Sequence, residues 1–311
     1  MKKIAFMFPG QGAQYVGMGQ ELYAKYELAR KLFDQANKTL GYDLTKVMFE
    51  GPIETLTQTQ HTQPAVFTLS VMVSALLAEQ GIKPQVVAGH SLGEYAALVA
   101  SGILSFEEGL KIVQIRGRLL QESAAKHPGT MAAIIGLDDE KVKSICENIK
   151  TGVVEAVNYN CPGQLVIAGE TAAVQAAMEE AQKAGAMKVI QLQVSGPFHS
   201  SLMREASVQF EKELATFELH DPVVPVVANY NAEFIQNTAE AKEAMVKQVY
   251  SPVFWKESVG QLIDQGIELF VEVGPGKTLC GLLKRINRKM PCGNVADSQT
   301  LEDLISQVNK I

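Results

Sequence analysis

The residues of this sequence best suited to chemistry are Gly89-His90-Ser91-Leu92-Gly93, a Gly-x-Ser-x-Gly pattern. An apolar run with Val86 and Val87 precedes it, and an Ala-rich helical pattern, Tyr95 to Val99, follows. A strand that enters a helix through one serine forces that serine into a strained turn, and flanking glycines let the two elements approach. The serine is then exposed at a helix N-terminus, where unpaired N–H groups favour a negative oxygen. The pattern predicts a nucleophile at Ser91, and the alternative is an ordinary glycine-flanked turn.

A serine hydroxyl needs a proton acceptor if it is to attack at neutral pH. His199 follows a glycine and a proline in Gly196-Pro-Phe-His199, so a tight turn should fix its backbone. Alone it would more often be a structural or surface histidine, but beside an exposed serine it is the leading candidate for the base. Of the other histidines, His61, His127 and His220 lie in polar or turn surroundings. His90 adjoins the serine, but its side chain should point away from it.

The acid of a catalytic triad separates two kinds of serine enzyme. In α/β-hydrolases an Asp or Glu lies between the serine and a late histidine. Between Ser91 and His199 the only aspartates are Asp138 and Asp139, both at a predicted helix start, and over a hundred residues follow the histidine. We therefore expect a Ser-His pair whose imidazole is oriented by another group, such as a backbone carbonyl.

A predicted helix from about Phe106 to Ser123 contains an arginine, Arg116, among apolar neighbours such as Ile112 and Leu119. An arginine in such surroundings needs a partner for its charge. The alternative is that its side chain snorkels from an amphipathic helix to water.

Composition restricts the possible classes of protein. The chain has 311 residues, 47% of them hydrophobic, which is enough to bury a full core. The N-terminal apolar run is too short for a signal peptide, and no apolar run reaches eighteen residues, so we expect a cytoplasmic protein that does not bind a membrane. A net charge of −6 without aromatic-basic interleaving argues against nucleic acid.

The four cysteines show no C-x-x-C spacing and no histidine at metal-ligand spacing. We therefore expect buried or free thiols, with no metal and no cofactor. The cysteines are Cys146, Cys161, Cys280 and Cys292.

The first third of the chain is typical of an α/β fold. Ile4 to Phe8 is predicted as a strand buried on both faces, and it opens onto a glycine-rich loop, Pro9 to Gln14, which is not a dinucleotide fingerprint because Tyr15 stands where that motif needs glycine. Helical patterns follow at about 20–40 and 65–80. Because ligands bind beyond the carboxyl ends of parallel strands, the Gln11 loop and Ser91 should share one crevice.

From Gly129 to Val194 the predicted elements run strand, helix, strand, strand, helix, strand. This βαββαβ order is that of a ferredoxin-like unit, here an insert of about 70 residues. Its central link, Asn158 to Gln164, is rich in turn formers and is expected to be a loop. Beyond it, Gly274 to Thr278 contains Gly-Lys-Thr but is no P-loop, because the motif needs glycine at Val271.

The motifs together resemble those of the bacterial malonyl-CoA:acyl carrier protein transacylases. The matching segments span residues 6 to 276 in family order and show no departure at a chemical position. They are Phe8–Gln14, Thr62–Ala65, Gly89–Tyr95, Arg116–Gly117, Met131–Leu137, Asn158–Gln164, Gly196–His199, Gln248–Pro252 and Glu272–Gly276.

The resemblance implies a fold and a reaction. The fold is an α/β-hydrolase-like core with a parallel sheet, formed by residues 1–125 and 196–311, plus an inserted ferredoxin-like subdomain at residues 126–195. The reaction is ping-pong: the serine takes malonyl from malonyl-CoA, and the phosphopantetheine thiol of acyl carrier protein removes it. Malonyl-CoA and the carrier protein are then the partners.

The resemblance also assigns roles to individual residues. Backbone N–H groups of Gln11 and Leu92 would form the oxyanion hole. Arg116 would bind the malonyl carboxylate in bidentate fashion. Gln248 lies in the segment whose carbonyl would orient the base, and two further matches would only line the site: Gln63 and Asn160.

Three alternatives to this function stay open at the level of sequence. A serine esterase or thioesterase would share Ser91 and His199, a non-enzymatic scaffold would need neither, and a trans-acting polyketide acyltransferase would be the nearest rival. Four basic residues of a predicted final helix have two interpretations, a solvated helix face or a docking site for the carrier protein. They are Lys284, Arg285, Arg288 and Lys289.

Overall fold

The computed structural model describes residues 2–309 and contains two β-sheets. The larger sheet has five strands, all parallel, in the order β7-β2-β1-β8-β9. Its strands are β1 Ile4–Phe8, β2 Val86–Gly89, β7 Val226–Val227, β8 Leu269–Val273 and β9 Cys292–Val295. The predicted α/β class with a parallel sheet is confirmed.

Helices cover both faces of this sheet. In β1, Ile4, Phe6 and Phe8 pack into one cluster and Ala5 and Met7 into another, as the period of two in a strand requires. The helices of the first part are α1 Gln20–Lys25, α2 Glu27–Leu40, α3 Leu44–Glu50, α4 Ile53–Leu56, α5 Thr59–Glu79, α6 Gly93–Ala100 and α7 Phe106–Lys126. Those of the last part follow a 3-10 turn, Ser201–Met203, and are α10 Arg204–Leu214, α11 Thr238–Gln248, α12 Trp255–Asp264, α13 Thr278–Ile286 and α14 Ser298–Asn309.

The smaller sheet is antiparallel, with the order β4-β5-β3-β6. Its elements follow the predicted βαββαβ order: β3 Gly129–Ile135, α8 Asp139–Asn148, β4 Val154–Cys161, β5 Gln164–Glu170, α9 Thr171–Lys183 and β6 Lys188–Gln191. An isolated bridge between Asn158 and Val253 joins β4 to the segment before α12. This bridge holds the small sheet against the larger unit, so that the two enclose a cleft.

Several element boundaries differ from those predicted, among them those of α5 and β4. Helix α5 begins at Thr59 instead of 65, and Pro64 lies inside it. Pro64 removes only one helical N–H bond, and the burial of most of the helix outweighs that loss. Strand β4 extends to Cys161, so the expected loop from Asn158 shrinks to Pro162 and Gly163, because the polar residues before them pair with β5 through two register shifts.

Two further expectations are wrong. Helix α13 ends at Ile286, so Arg288 and Lys289 lie beyond it, and the chain continues through β9 and α14. Cys280 and Cys292 form a disulfide that joins α13 to β9, with Cα atoms 5.7 Å apart, because the parallel pairing of β8 and β9 brings β9 beside the start of α13. Cys146 and Cys161 are buried free thiols, as expected.

Helix α5 is long and apolar enough to cross a membrane by length and composition. However, 78% of its most apolar window is buried inside the protein. Its apolar side chains belong to the core cluster on one face of the larger sheet. Helix α5 is therefore a core helix.

The packing around the Ser91 turn gives a first prediction. A Cβ at Gly93 would lie 2.0 Å from Phe8 O, so Gly93→Ala must displace backbone and should cost about 3 kcal/mol or more of unfolding free energy. Gly260→Ala, in α12, is the matched control, because its Cβ would meet no atom within 4 Å. Helix propensity alone should leave that variant slightly stabilised. Urea unfolding measures both, and a Gly93→Ala protein as stable as wild type would contradict the described contact.

Candidate active site

Ser91 lies in the turn between β2 and α6, at the carboxyl end of the parallel sheet. Its φ of 52° is in the left-handed region, which residues other than glycine rarely adopt. No Cβ would fit at Gly89, where it would come within 2.0 Å of Gly93 C. The structure thus has the strained turn that the Gly-x-Ser-x-Gly pattern predicts.

The side chains of Ser91 and His199 are in contact, with 2.6 Å between Ser91 Oγ and His199 Nε2. His199 Nδ1 lies 2.8 Å from the backbone carbonyl oxygen of Gln248. A carbonyl can only accept, so Nδ1 carries the proton, and Nε2 is left to accept from the serine hydroxyl. His199 too has a left-handed φ, of 65°. A main-chain carbonyl therefore takes the place of a triad carboxylate.

The electrostatic surroundings keep the imidazole neutral. Burial, followed by the positive charge of Arg116, lowers the pKa of His199 to about 3. The histidine is 4% exposed. At neutral pH its Nε2 is therefore unprotonated and able to accept a proton.

Arg116 does not extend to solvent but lies in the interior, 3% exposed. It donates to Gln63 Oε1 at 2.8 Å and to Gln248 Oε1 at 3.0 Å, and its Nη2 lies 3.4 Å from Ser91 Oγ. Burial lowers its pKa, and Tyr95 and Glu94 oppose this shift. Two neutral amides thus fix the guanidinium plane beside the serine. Because the guanidinium is charged and buried, an anion is the ligand that this position favours most strongly.

Two adjoining cavities surround these groups. The first, of about 90 Å³, lies at the serine, and its lining includes Gln11, Gln63, Ser91, Leu92, Arg116 and His199. The second, of about 240 Å³, extends toward α13, and its lining includes Gln11, His90, Asn160, Gln164 and Leu282. All the predicted site residues therefore lie in one region, with Gln248 behind the cavity wall. A cavity of about 350 Å³ between α5 and α6 touches none of them.

The Gln11 loop lies against the Ser91 turn, as expected for one crevice. A Cβ at Gly10 would be 2.6 Å from His90 O. The Gln11 side chain is 3.3 Å from Thr59 Oγ1, which in turn contacts Ser195 Oγ at 3.0 Å. These contacts fix the loop beside the serine, where Gln11 and Ser91 line the same cavity.

His90 points away from the serine, as predicted. Its Nε2 lies 2.8 Å from Asn160 Oδ1, and its ring packs edge-on against Trp255 at 5.5 Å. Asn160 thus belongs to the site in two ways: its side chain contacts His90, and it lines the second cavity. Among residues 2–309, no group of three or more His, Cys, Asp or Glu side chains is arranged to hold a metal ion.

Sequence reasoning missed two buried polar residues behind the serine. Asn229, just after β7, contacts the backbone of Gly89 and Ser91, and Glu94 accepts from the Asn229 N–H at 2.6 Å. Burial raises the pKa of Glu94 to about 8. A carboxyl in the middle of an Ala-rich helical pattern was the available signal for Glu94, whereas Asn229 follows an apolar strand like many turn residues.

Comparison with known proteins identifies the family. Residues 5–302 match the acyl transferase domain family. The chain is 44% identical over 304 residues to malonyl CoA-acyl carrier protein transacylase of Bacillus subtilis, covering 97% of this chain and 96% of that protein. It is also 44% identical over 307 residues to the Staphylococcus aureus protein of the same name, covering 98% of each.

Solved structures agree with this assignment. The MCAT structure from Streptococcus pneumoniae has a TM-score of 0.94 at 42% identity, covering 98% of this chain and 100% of that one. A malonyl-transacylase solved with a type II PKS acyl-carrier protein has a TM-score of 0.95 at 38% identity, covering 98% and 99%. The chain therefore belongs to the acyl transferase domain family and, within it, to the malonyl CoA-acyl carrier protein transacylases.

Proposed function

We propose that this protein transfers the malonyl group of malonyl-CoA to the phosphopantetheine thiol of an acyl carrier protein through a malonyl ester on Ser91. One observation supports this above all: the serine hydroxyl contacts a neutral imidazole and lies 3.4 Å from a buried guanidinium. The first group can activate the serine, and the second can bind the free carboxylate of the acyl group. The names of the relatives agree with this substrate pair.

The first half-reaction begins when His199 Nε2 takes the proton of Ser91 Oγ. The oxygen attacks the thioester carbonyl, and backbone N–H groups of Gln11 and Leu92 stabilise the oxyanion. The C–S bond then breaks, and the CoA thiolate leaves with the proton that His199 returns. The product is a malonyl-serine ester and free CoA.

The second half-reaction is the reverse, with another thiol. The phosphopantetheine thiol gives its proton to His199 and attacks the ester carbonyl, and Ser91 leaves as the protonated hydroxyl. The Gln248 carbonyl keeps the same imidazole nitrogen protonated throughout, so His199 Nε2 serves both halves.

Arg116 selects the acyl group. A carboxylate taken out of water requires a charged partner, and a guanidinium binds it through two parallel hydrogen bonds. Gln63 and Gln248 hold the guanidinium in place. The cavity of about 90 Å³ leaves little room for acyl groups much larger than malonyl.

The second cavity offers a route for the pantetheine arm, whether that of CoA or that of the acyl carrier protein. It adjoins the first at Gln11 and His90 and opens past Asn160 toward Leu282 of α13. On this proposal Gln63 and Asn160 line the path of the substrate rather than take part in bond making.

We also infer the finer architecture of the fold. The five-stranded parallel sheet with a nucleophile after β2 supports an α/β-hydrolase-like core of residues 1–125 and 196–311. The strand order β4-β5-β3-β6, with α8 and α9 as the crossovers, supports a ferredoxin-like subdomain of residues 126–195.

The pathway that uses the product is fatty acid synthesis in our first proposal, with the enzyme in the cytoplasm. The second candidate is a polyketide pathway, because one of the similar structures is a malonyl-transacylase in complex with a type II PKS acyl-carrier protein. The chemistry at the serine is the same in both, so only the carrier protein distinguishes them.

The carrier protein should dock on the basic patch formed by Lys284, Arg285, Arg288 and Lys289. Arg285 Nη1 donates to Gln164 Oε1 at 3.0 Å, and Gln164 lines the second cavity, which supports a docking site close to that cavity. The other three are exposed. Acyl carrier proteins are acidic as a family, so this chain, itself net acidic, needs a local basic surface for them.

Intact mass after mixing with malonyl-CoA tests the proposed function. The wild-type protein should gain one malonyl unit, and Ser91→Ala none. His199→Ala should lower transfer about 10³-fold or more, because the serine then lacks a proton acceptor. His220→Ala, at an exposed histidine away from the site, is the control and should leave transfer unchanged.

The double variant Ser91→Ala/His199→Ala tests whether the two residues act as one unit. The loss in the double variant should be no larger than that of the worse single variant, and losses that multiply in full would exclude His199 as the base. If the malonyl ester is instead hydrolysed in minutes without carrier protein, the enzyme is a thioesterase.

Arg116→Ala should lower malonyl transfer by about 10²-fold or more and leave acetyl transfer less affected, because only malonyl presents a carboxylate. Arg116→Lys keeps the charge but not the paired donors, so it should recover part of the rate. Arg118→Ala, two residues along α7 and exposed, is the matched control. Equal losses for acetyl and malonyl would contradict the carboxylate assignment.

Lys284→Glu/Arg288→Glu should slow malonyl transfer to carrier protein, chiefly in association and most at low salt, while loading from malonyl-CoA stays unchanged. Lys212→Glu/Lys242→Glu makes the same charge change on α10 and α11 and serves as the control. Stopped-flow transfer at two ionic strengths measures the effect. If the folded patch variant transfers like the control, docking lies elsewhere, for instance at Lys183 and Lys188 of the small unit.

A further inference from the structure

The side chain of Asn229 contacts the Ser91 turn on both sides of its bend. Its Nδ2 donates to Gly89 O at 2.7 Å, and its Oδ1 accepts from the Ser91 N–H at 2.7 Å. Asn229 is fully buried. One carboxamide thus pairs with the carbonyl before the nucleophile and the N–H of the nucleophile itself.

This pairing continues the sheet after its backbone has ended. Strand β7 pairs with β2 only at Val226 with Val87 and Val227 with Ala88. Beyond these residues the chain of β7 turns away, since Ala228 N–H donates to Glu233 O. A carboxamide has the same donor and acceptor as a peptide group, so Asn229 supplies the next rung of the ladder.

The strained backbone of Ser91 needs such support. A left-handed φ in a residue other than glycine persists only where surrounding contacts determine it. Besides Asn229, Gln248 Nε2 donates to Ser91 O at 2.9 Å. The N–H and carbonyl of the nucleophile are therefore both held by buried amide side chains.

Glu94 in turn holds Asn229. It lies one turn after the serine in α6, and its Oε2 accepts from the Asn229 N–H at 2.6 Å. Its other oxygen, Oε1, is fully buried and has no hydrogen-bond partner among residues 2–309. Burying a carboxyl oxygen without a hydrogen-bond partner lowers the free energy of unfolding. This cost indicates that the bond between Glu94 and Asn229 has a function. Burial raises the pKa of Glu94 to about 8, and glutamine has the same shape and keeps a side-chain oxygen that can accept.

We propose that Asn229 and Glu94 are positioning residues for the acyl transfer: Asn229 holds Ser91 Oγ in line with His199, and Glu94 holds Asn229. The proposal rests on the proposed function, because it assumes that Ser91 is acylated. Both residues act through the backbone of the nucleophile, so both half-reactions should depend on them equally.

Asn229→Ala is the first test, measured as the single-turnover rate of malonyl-ester formation. At saturating malonyl-CoA the rate should fall about 100-fold, since displacement of a reacting group by about 1 Å has effects of that size. The half-saturating malonyl-CoA concentration should stay within about twofold. Asn231→Ala is the matched control, because its side chain contacts only Glu233 nearby and should leave the rate unchanged.

Asn229→Asp covers the case in which alanine does not fold. It has the same shape and keeps the acceptor for Ser91 N–H but loses the donor to Gly89 O, so its rate per folded molecule should also fall. Circular dichroism and thermal unfolding give the folded fraction of each variant.

Glu94 is tested with a conservative pair. Glu94→Gln keeps an acceptor for the Asn229 N–H and should keep most of the acylation rate, whereas Glu94→Leu should lose it about as far as Asn229→Ala. A merely structural role would lower the stability of both variants without changing the rate per folded molecule.

Three results would overturn the proposal: a folded Asn229→Ala protein with the wild-type rate, failure of both Asn229 variants to fold, or equal rates for the two Glu94 variants. Absence of a malonyl ester on the wild-type protein would instead contradict the proposed function. The two failures are therefore distinguishable in one set of mass measurements.

Discussion

The left-handed backbone of Ser91 is the constraint on which the rest of the site depends. This conformation exposes the hydroxyl at the carboxyl end of the sheet. It requires β1, β2 and α6 to approach one another more closely than side chains at Gly89 and Gly93 would permit. Gly89 and Gly93 make that approach possible, and the buried amides of Asn229 and Gln248 hold its polar backbone groups. The parallel sheet therefore supplies both the place of the nucleophile and the neighbouring loops that surround it.

Gln248 links three functions that a catalytic triad would divide among separate residues. Its backbone carbonyl orients His199, its Oε1 accepts from Arg116, and its Nε2 donates to Ser91 O. The partner of His199 Nδ1 is thus a neutral main-chain carbonyl, and the side-chain amide of the same residue pairs with the buried guanidinium of Arg116.

Much of this site could be predicted from sequence because its chemistry rests on local patterns. The Gly-x-Ser-x-Gly turn and the Gly-Pro-Phe-His turn each fix a backbone within five residues, and Arg116 stands out as a charge on an apolar helix face. The order of elements in the small sheet could also be predicted, from the succession of strand and helix patterns along the sequence. The roles of Asn229 and Glu94 could not, because they depend on where β7 leaves the sheet, a distance of more than 130 residues from the serine.

The same reasoning explains the wrong expectations. Tertiary burial lets α5 continue through Pro64, and pairing with β5 draws the turn formers after Asn158 into a strand. The pairing of Cys280 with Cys292 follows from a parallel β8–β9 contact that no spacing rule encodes. In each case a contact between distant segments overrides the local signal, whereas at Ser91 the distant contacts reinforce it. Ser91 could therefore be predicted as the nucleophile because its local sequence pattern and its tertiary contacts favour the same turn. Asn229 makes tertiary contacts of this kind, to the backbone of Gly89 and Ser91.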